Sequence, residues 1–232
     1  MGSARLPGKV LADIHGHAML WHVAERTRAA ETLDDVVVAT TTEPADDVIA
    51  AFCREYRVSC FRGSEEDVLD RYYQAALQHD AQAIVRITSD CPLIDPEVVD
   101  KIVRAFLVEH TDYASNCEVR TYPRGLDTEV MTFRALERAW GEARQTHQRA
   151  HVTPYIYQNP DQFRIVSVTG EEDHSAHRWT VDTPEDLEFV RKVYSRLQSE
   201  QFHWSDVLGL LEREPALTEI NRSVAQKALP EG

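Results

Sequence analysis

The chain has 232 residues, of which 43% are hydrophobic, and a formal net charge of -14 at pH 7. This length and apolar content support a folded domain with a substantial core and exclude a disordered chain. The acidic balance argues against a nucleic-acid partner, because neutralising phosphates requires a basic surface, yet it permits a small anionic substrate held by local cations.

The cysteines and the hydropathy pattern bear on cellular location. The four cysteines form no CxxC pair and show no metal-ligand spacing, so we expect free thiols in a reducing compartment. No apolar run reaches the ~18 residues that a membrane span needs, and no signal-peptide pattern occurs. The expected location is therefore the cytoplasm, without a membrane partner.

The opening stretch MGSARLPGK combines glycines with two cations. Gly2 and Gly8 allow the backbone to approach a ligand closely, and Arg5 and Lys9 supply positive charge within a short loop. These features are typical of a phosphate-binding loop. A basic terminus that is merely solvated would show the same composition, so the residues alone leave both interpretations open.

The next third of the chain alternates between strand and helix patterns. Strands are predicted at 33–42, 58–61 and 81–88, and helices at 43–56, 64–80 (capped by Ser64) and 96–110. This alternation is typical of a doubly wound, mostly parallel sheet. Ligands bind beyond the carboxyl ends of such strands, which indicates the following loops: 1–10, 40–43, 62–64 and 88–95.

After residue 111 the pattern becomes less regular. Short strands are predicted in DYASN and DTEVMTF, with helices near 133–145 and 148–158, a strand at 162–168 and an amphipathic helix at 183–197. Residues 198–232 are predicted to form a C-terminal helical tail. Because no repeat or low-complexity linker interrupts the chain, we expect a single domain over residues 1–232.

Two aspartates are candidate metal ligands. Asp90 directly follows a predicted strand, and Asp182 precedes the helix capped by Thr183. Mg²⁺ is usually held by one or two carboxylates together with substrate phosphates, which this pair would satisfy. Both residues could instead cap helices.

A second group of residues lies in FRGSEEDVLDRYYQ. Gly63 and Ser64 predict a tight turn into a helix N-terminus, a suitable place for nucleotide contacts. The same residues are explained by an N-cap with an acidic first turn. Further along, five residues are candidates for an acceptor pocket: Tyr122, Arg124, Asp127, His151 and Arg178. The two arginines are forked donors suited to a carboxylate or phosphate, whereas a lone helical His is often structural.

Several stretches together resemble one enzyme family. They are MGSARLPGK, VVVATTTEPADDVI, FRGSEEDVLDRYYQAA, VRITSDCPLIDPE, YPRGLDTEV, HVTPYIYQNP and RWTVDTPEDLEFV. They resemble the sugar cytidylyltransferases that activate acylneuraminate and KDO as CMP derivatives, and in particular the spore coat polysaccharide biosynthesis protein F branch. The resemblance runs from residue 1 to about residue 197, and weakly through INRSVAQK.

The resemblance implies a fold and a reaction. The fold is an α/β nucleotide-diphospho-sugar transferase-like (Rossmann-like) three-layer sandwich with a mixed, mostly parallel sheet. The reaction is transfer of CMP from CTP to a sugar acid or related small anionic acceptor, with release of pyrophosphate, in surface polysaccharide precursor biosynthesis. Mg²⁺ is the implied cofactor, and a homodimer the implied assembly.

The resemblance also assigns roles to residues. It gives catalytic roles to Arg5, Lys9, Asp90 and Asp182, and makes Asp90 and Asp182 the Mg²⁺ ligands. The nucleotide would be bound by Gly2, Ser3, Arg5, Lys9, Arg62, Gly63, Ser64, Asp67 and Thr88. Ala150 stands where relatives often carry Glu before the histidine, so the acceptor stays open.

The N-terminus departs from the family pattern. In relatives a strand and an arginine precede the glycine-rich motif, so the expectation is that this sequence lacks a strand near the centre of the sheet. A start placed at an internal Met is the favoured explanation, because losing a central strand exposes two strand edges. A genuine short form with impaired activity is the other.

Two other functions stay open as alternatives. One is a nucleotide-binding protein without catalysis, and the other is a transferase that uses another nucleotide or a phosphonate or polyol phosphate acceptor.

Overall fold

The computed structural model describes residues 2–3, 5–199 and 201–226. The strands are β1 (Asp13–Ile14), β2 (His17–Ala18), β3 (Val37–Thr41), β4 (Ser59–Gly63), β5 (Ala83–Arg86), β6 (Tyr113–Ser115), β7 (Glu129–Thr132) and β8 (Ile165–Ser167). The α-helices are α1 (Met19–Arg28), α2 (Asp47–Tyr56), α3 (Val68–Gln78), α4 (Pro96–Val108), α5 (Phe133–Glu142), α6 (Thr146–His151), α7 (Pro154–Tyr157), α8 (Pro184–Leu197) and α9 (Trp204–Arg213). Short 3₁₀ helices cover Lys9–Leu11, Pro44–Asp46 and Pro215–Glu219.

The main sheet is mixed and has the strand order β5-β7-β6-β8. Strand β7 is antiparallel to both β5 and β6, whereas β8 is parallel to β6. Strands β3 and β4 form a separate parallel pair, and β1 and β2 a short hairpin. The expected α/β fold with a mixed sheet is confirmed. Within the described ranges, β3 pairs only with β4 and β5 only with β7.

The main sheet is buried on both faces. Neighbouring residues on β7 point to opposite sides: Val130 belongs to the core that includes α4 and α8, and Met131 to the core that includes α3 and α5. On β6, Ala114 and Tyr113 divide in the same way. Because side chains alternate along a strand, this division places helices on both faces of the sheet, as a three-layer sandwich requires.

Three predicted helices differ in detail. The helix expected at 64–80 begins at Val68, because Asp67 and not Ser64 caps it, accepting the backbone N–H of Asp70. The helix expected at 148–158 is divided at Val152, whose φ of 76° ends α6 before α7 begins. The helix expected from residue 43 starts with a 3₁₀ turn that Pro44 opens. In each case a local turn competes with the helical pattern.

The expected helical tail is partly described. Residues up to 226 contain α9 and the 3₁₀ helix Pro215–Glu219, and the rest of the predicted tail lies outside the described residues. All four cysteines are free, as expected. Among the described helices, none combines the length and apolar character needed to cross a membrane.

Gly125 allows two distant segments to meet. Its φ is 111°, and a Cβ there would lie 2.7 Å from the backbone N of Thr180. The close approach lets Arg124 accept the N–H of Trp179 through its carbonyl at 2.7 Å. The turn therefore fixes the chain around residues 124 and 178 next to each other.

We expect Gly125→Ala to destabilise the protein by about 2–3 kcal/mol, since it adds both backbone strain and overpacking. Gly141→Ala is the control, because that glycine lies in α5 with no atom within 4 Å of the added Cβ. This control should stabilise by up to about 1 kcal/mol. Urea unfolding at equal m-values measures both variants, and equal stability of the two would contradict the prediction.

Candidate active site

The loop after β5 and the strand-like segment before α8 run side by side. The carbonyl of Asp90 accepts the N–H of Val181 at 2.8 Å and the Thr180 hydroxyl at 3.2 Å. These bonds bring the carboxylates of Asp90 and Asp182 to one place beyond the end of β5. The structure therefore brings the two predicted metal ligands close together.

Lys9 lies between these two carboxylates. Its Nζ donates to Asp90 Oδ2 at 2.9 Å, to Asp182 Oδ1 at 3.0 Å and to the Val181 carbonyl at 2.7 Å. Burial alone would lower the pKa of Lys9, but the two carboxylates outweigh it and raise this pKa above its ordinary value. Lys9 is therefore held as a cation in the same place as the two aspartates.

The arrangement around Asp182 and Asp90 fits a hard cation. Both carboxylates converge on one positive charge, the Lys9 ammonium, and Thr88 Oγ1 donates to the other oxygen of Asp90 at 2.5 Å. Arg5 pairs with Asp182 Oδ2 at 3.0 Å from a partly exposed position. Convergent carboxylate oxygens are the donors that Mg²⁺ prefers, so the residues present suit that ion.

Asp186 contacts the candidate site and was not among the residues predicted from the sequence. It is fully buried, and its carboxylate accepts two hydrogen bonds from Arg178 and the backbone N–H groups of Asp182 and Thr183. Burial would raise the pKa of Asp186, but the bonds from Arg178, the Asp182 N–H and Asn221 outweigh it and lower this pKa. The Thr183–Asp186 spacing predicts a capping box, which the structure contains, but it does not indicate the arginine.

Arg178 has a different set of contacts from the one predicted. Its Nε and Nη2 donate to Asp186 at 2.9 Å each, Nη2 also reaches Asp182 Oδ2 at 2.9 Å, and Nη1 donates to Gln226. Burial would raise the pKa of Asp182, but Lys9, Arg178 and Arg5 lower it. In this structure Arg178 orients Asp182, and direct binding of an acceptor stays a prediction.

A cavity of about 300 Å³ opens beside the N-terminal loop, lined by Gly2, Ser3, Lys9 and Val10. A Cβ on Gly2 would lie 3.8 Å from a carboxylate oxygen of Glu65. The N-terminal loop therefore runs next to the turn that follows β4. The structure thus brings together two of the segments predicted to bind the nucleotide.

The remaining predicted nucleotide residues shape this turn. Arg62 donates to the carbonyls of Thr41 and Glu43 at 2.8 and 3.0 Å, and so connects the end of β4 to the end of β3 and the residues that follow it. Ser64 Oγ accepts the N–H of Asp67 at 3.0 Å. Gly63 follows Arg62 at the end of β4, where a Cβ would lie 2.9 Å from the Phe61 ring.

The carboxylate of Asp67 is engaged twice. It caps α3 through the Asp70 N–H, and it forms an ion pair with Arg149 of α6. Sequence reasoning assigned Asp67 to nucleotide binding, which stays a prediction. The structure instead shows a link between α3 and α6.

The predicted acceptor residues separate into two groups. Arg124 lies near the site, since the backbone of residue 124 pairs with residue 178. Asp127 forms an ion pair with Arg120 and lies close enough to Arg124 for its charge to raise the pKa of that arginine. Burial, followed by the charge of Arg120, outweighs this effect and lowers the pKa of Arg124.

Tyr122 and His151 form the second group. Tyr122 is buried, its hydroxyl accepts a bond from Lys101 of α4 at 2.7 Å, and its ring packs against Trp204 of α9. His151 is the last residue of α6. Acceptor roles for these two residues stay predictions.

With the fold and this geometry in place, residues 1–212 match the cytidylyltransferase family, and the chain belongs to it. The protein MJ1063 of Methanocaldococcus jannaschii is 38% identical over 232 residues, which cover 99% of this chain and 94% of that protein. The spore coat polysaccharide biosynthesis protein SpsF of Bacillus subtilis is 32% identical, with 93% of this chain and 92% of SpsF covered.

Solved structures agree with this placement. A cytidylyltransferase from Leptospira borgpetersenii superposes with a TM-score of 0.91 and 33% identity, covering 98% of this chain and 95% of that one. A CMP:2-keto-3-deoxy-manno-octonic acid synthetase complexed with CTP has a TM-score of 0.61 at 20% identity, covering 84% and 95%. The second likeness shows the fold alone, and together they confirm the Rossmann-like nucleotidyltransferase architecture.

Proposed function

We propose that the protein transfers CMP from CTP to a sugar acid or related small anionic acceptor and releases pyrophosphate, with Mg²⁺ as cofactor. The observation that carries this function is the convergence of Lys9, Asp90 and Asp182 beyond the carboxyl end of β5. The family supports CTP as the nucleotide. The similarity to SpsF, a spore coat polysaccharide biosynthesis protein, supports a place in polysaccharide precursor biosynthesis. A cytoplasmic homodimer belongs to the same proposal and rests on the family resemblance alone.

The chemistry is an in-line displacement at phosphorus. A hydroxyl oxygen of the acceptor forms a bond to the α-phosphorus of CTP and gives up its proton to solvent. The bond from this phosphorus to the bridging oxygen breaks, and pyrophosphate leaves with that electron pair. Such a reaction depends mainly on positioning and on neutralising phosphate oxygens. Mg²⁺, held by Asp90 and Asp182, would supply positive charge for those oxygens.

The chain's own cations would act on the phosphates that leave. Lys9 borders the cavity that Gly2 and Ser3 line, and Arg5 reaches the same region from the surface. These cations would bind the β- and γ-phosphates and stabilise the leaving pyrophosphate. Arg178 and Asp186 hold Asp182 in place, through its carboxylate and its backbone N–H respectively.

Lys9→Ala is expected to weaken CTP binding by about 10–100-fold, because a hydrogen bond to a charged group contributes about 1.5–3 kcal/mol. CMP lacks the β- and γ-phosphates, so its affinity should change much less. Calorimetric titration with both nucleotides measures the difference. Lys101→Ala is the control, since that lysine bonds Tyr122 and not the aspartates. Equal weakening of CTP and CMP would place Lys9 away from the leaving group.

Pyrophosphate release tests the proposed function directly. The protein is incubated with Mg²⁺ and CTP, UTP, ATP or GTP, each with a keto-sugar acid, a phosphonate or a polyol phosphate. We expect release with CTP and a keto-sugar acid, in a one-to-one ratio with acceptor consumed. If pyrophosphate were released with another nucleotide or acceptor instead, the proposed nucleotide or acceptor would be wrong. CTP binding without release from any mixture would show a nucleotide-binding protein and overturn the enzyme assignment.

A further inference from the structure

The described part of the C-terminal tail returns to the active site. After α9 and the 3₁₀ helix Pro215–Glu219, Asn221 Nδ2 donates to the Arg178 carbonyl at 2.9 Å and to Asp186 Oδ1 at 3.0 Å. Asn221 is buried, and Gln226 accepts a bond from Arg178 Nη1. The tail therefore contacts the residues that hold Asp182.

Asn221 completes the hydrogen bonding of Asp186. One oxygen of this carboxylate is shared by Arg178 Nε and Asn221, and the other accepts from Arg178 Nη2 and the N–H groups of Asp182 and Thr183. With both oxygens bonded on several sides, the plane of the carboxylate is fixed. Arg178 and the backbone of Asp182 are fixed with it, and Arg178 in turn bonds Asp182 Oδ2.

The tail is anchored without Asn221. Leu217 is buried in the main core, and Ile220 packs against the same core. Burying a large apolar side chain such as Leu217 contributes more to stability than the net contribution of one hydrogen bond. The two bonds of Asn221 are therefore not needed to attach the segment, and both point at the groups that orient Asp182.

We propose that residues 221–226 are a working part of the active site, in which Asn221 is a positioning residue. It fixes Arg178 and Asp186, and through them it holds the Asp182 carboxylate in the orientation needed for Mg²⁺-dependent CTP binding. This role rests on the proposed function, because Asp182 is taken as a ligand of Mg²⁺. It assigns a task in the site to a segment that sequence reasoning placed in a helical tail, with only a weak resemblance to the family through INRSVAQK.

The test compares CTP binding with Mg²⁺ and with EDTA for the wild type, Asn221→Ala and Asn159→Ala. Asn159 is a matched control, since its Nδ2 also donates to a backbone carbonyl, that of Tyr155, at 2.7 Å. In the wild type, Mg²⁺ should strengthen CTP binding. We expect Asn221→Ala to lose about tenfold of this gain, equivalent to about 1.4 kcal/mol, while its affinity in EDTA stays unchanged. Asn159→Ala should keep the full gain.

The outcomes separate the positioning role from the proposed function. A wild type that binds no CTP contradicts the function itself. An Asn221→Ala variant that keeps the full Mg²⁺ gain, or that loses the same factor with EDTA, overturns the positioning role. Asn221→Ser covers the case in which the alanine variant does not fold, because one hydroxyl can replace only one of the two bonds. For Asn221→Ser we expect an intermediate loss of the Mg²⁺ gain. If this variant kept the full gain, the positioning role would be overturned.

Discussion

Asp90→Asn is expected to lower the rate of pyrophosphate release by about 100–1000-fold, the range seen when one group that neutralises transition-state charge is removed. Asparagine keeps the shape of the side chain but loses the negative charge that faces Lys9 at 2.9 Å. It also presents one oxygen where Asp90 presents two. The site would then hold Mg²⁺ through Asp182 alone, and the reacting phosphate would be poorly neutralised.

The rate is measured as pyrophosphate release from CTP at saturating Mg²⁺, together with the melting temperature. Asp161→Asn serves as the control, because Asp161 is an exposed aspartate in the turn after α7. The control should retain the wild-type rate, and the melting temperature of Asp90→Asn should change by no more than about 4 °C, or 1 kcal/mol. A near-normal rate in Asp90→Asn would remove this residue from the mechanism.

Asp186→Asn is expected to lower the free energy of unfolding by about 3–5 kcal/mol, the usual cost of removing one partner from a buried ion pair. Asp186 is fully buried, and Arg178 donates to both of its oxygens. The variant leaves the guanidinium with Asp182 as its remaining carboxylate among the described contacts. Asparagine also presents an N–H₂ group to donors that need an acceptor.

Asp206→Asn is the matched control for this change. Both aspartates occupy the third position of a helix with a capping box, but Asp206 lies in α9 and accepts the N–H of His203 at an exposed site. Its loss should cost about 1 kcal/mol or less. Urea unfolding in EDTA measures both. Similar losses in the two variants would mean that the cap, and not the ion pair, accounts for the effect of Asp186.

The ion pair between Arg178 and Asp186 predicts that the free energy of unfolding depends on pH in the acid range. Because the pKa of Asp186 is lowered in the folded state, its contribution is fully present above the unfolded pKa near about 4 and is lost as the pH falls through the folded value. The unfolding free energy of the wild type should therefore fall below about pH 4 more steeply than that of Asp186→Asn. Parallel curves would show that Asp186 does not contribute to the acid dependence.

Elements with local signals were predictable. The helix expected at 183–197 is observed as Pro184–Leu197, because Thr183, Pro184 and Asp186 form a cap and a first turn within a few residues. Helix α4 begins at Pro96 behind the cap Asp95 for the same reason. The alternation of strand and helix likewise predicts the layered α/β class.

Other local features give no such signal. Val152 takes a positive φ that divides a predicted helix, although a β-branched residue rarely adopts this conformation. The order of the main sheet places β7 between β5 and β6, against their order in the chain. Both features depend on side-chain packing between the layers, and the hydrophobic periodicity of the sequence does not predict this packing.

The candidate site shows the same division. The sequence by itself determined Lys9, Asp90 and Asp182 as candidates. Lys9 is a cation in a loop that contains glycines, and the two aspartates lie at the ends of predicted elements. Only the tertiary structure decided that Arg178 bonds Asp186 and that Asn221 joins them. A cap or a turn is fixed by the backbone geometry of a few neighbouring residues. An ion pair between distant segments forms only when packed layers bring one of many arginines to one of many carboxylates.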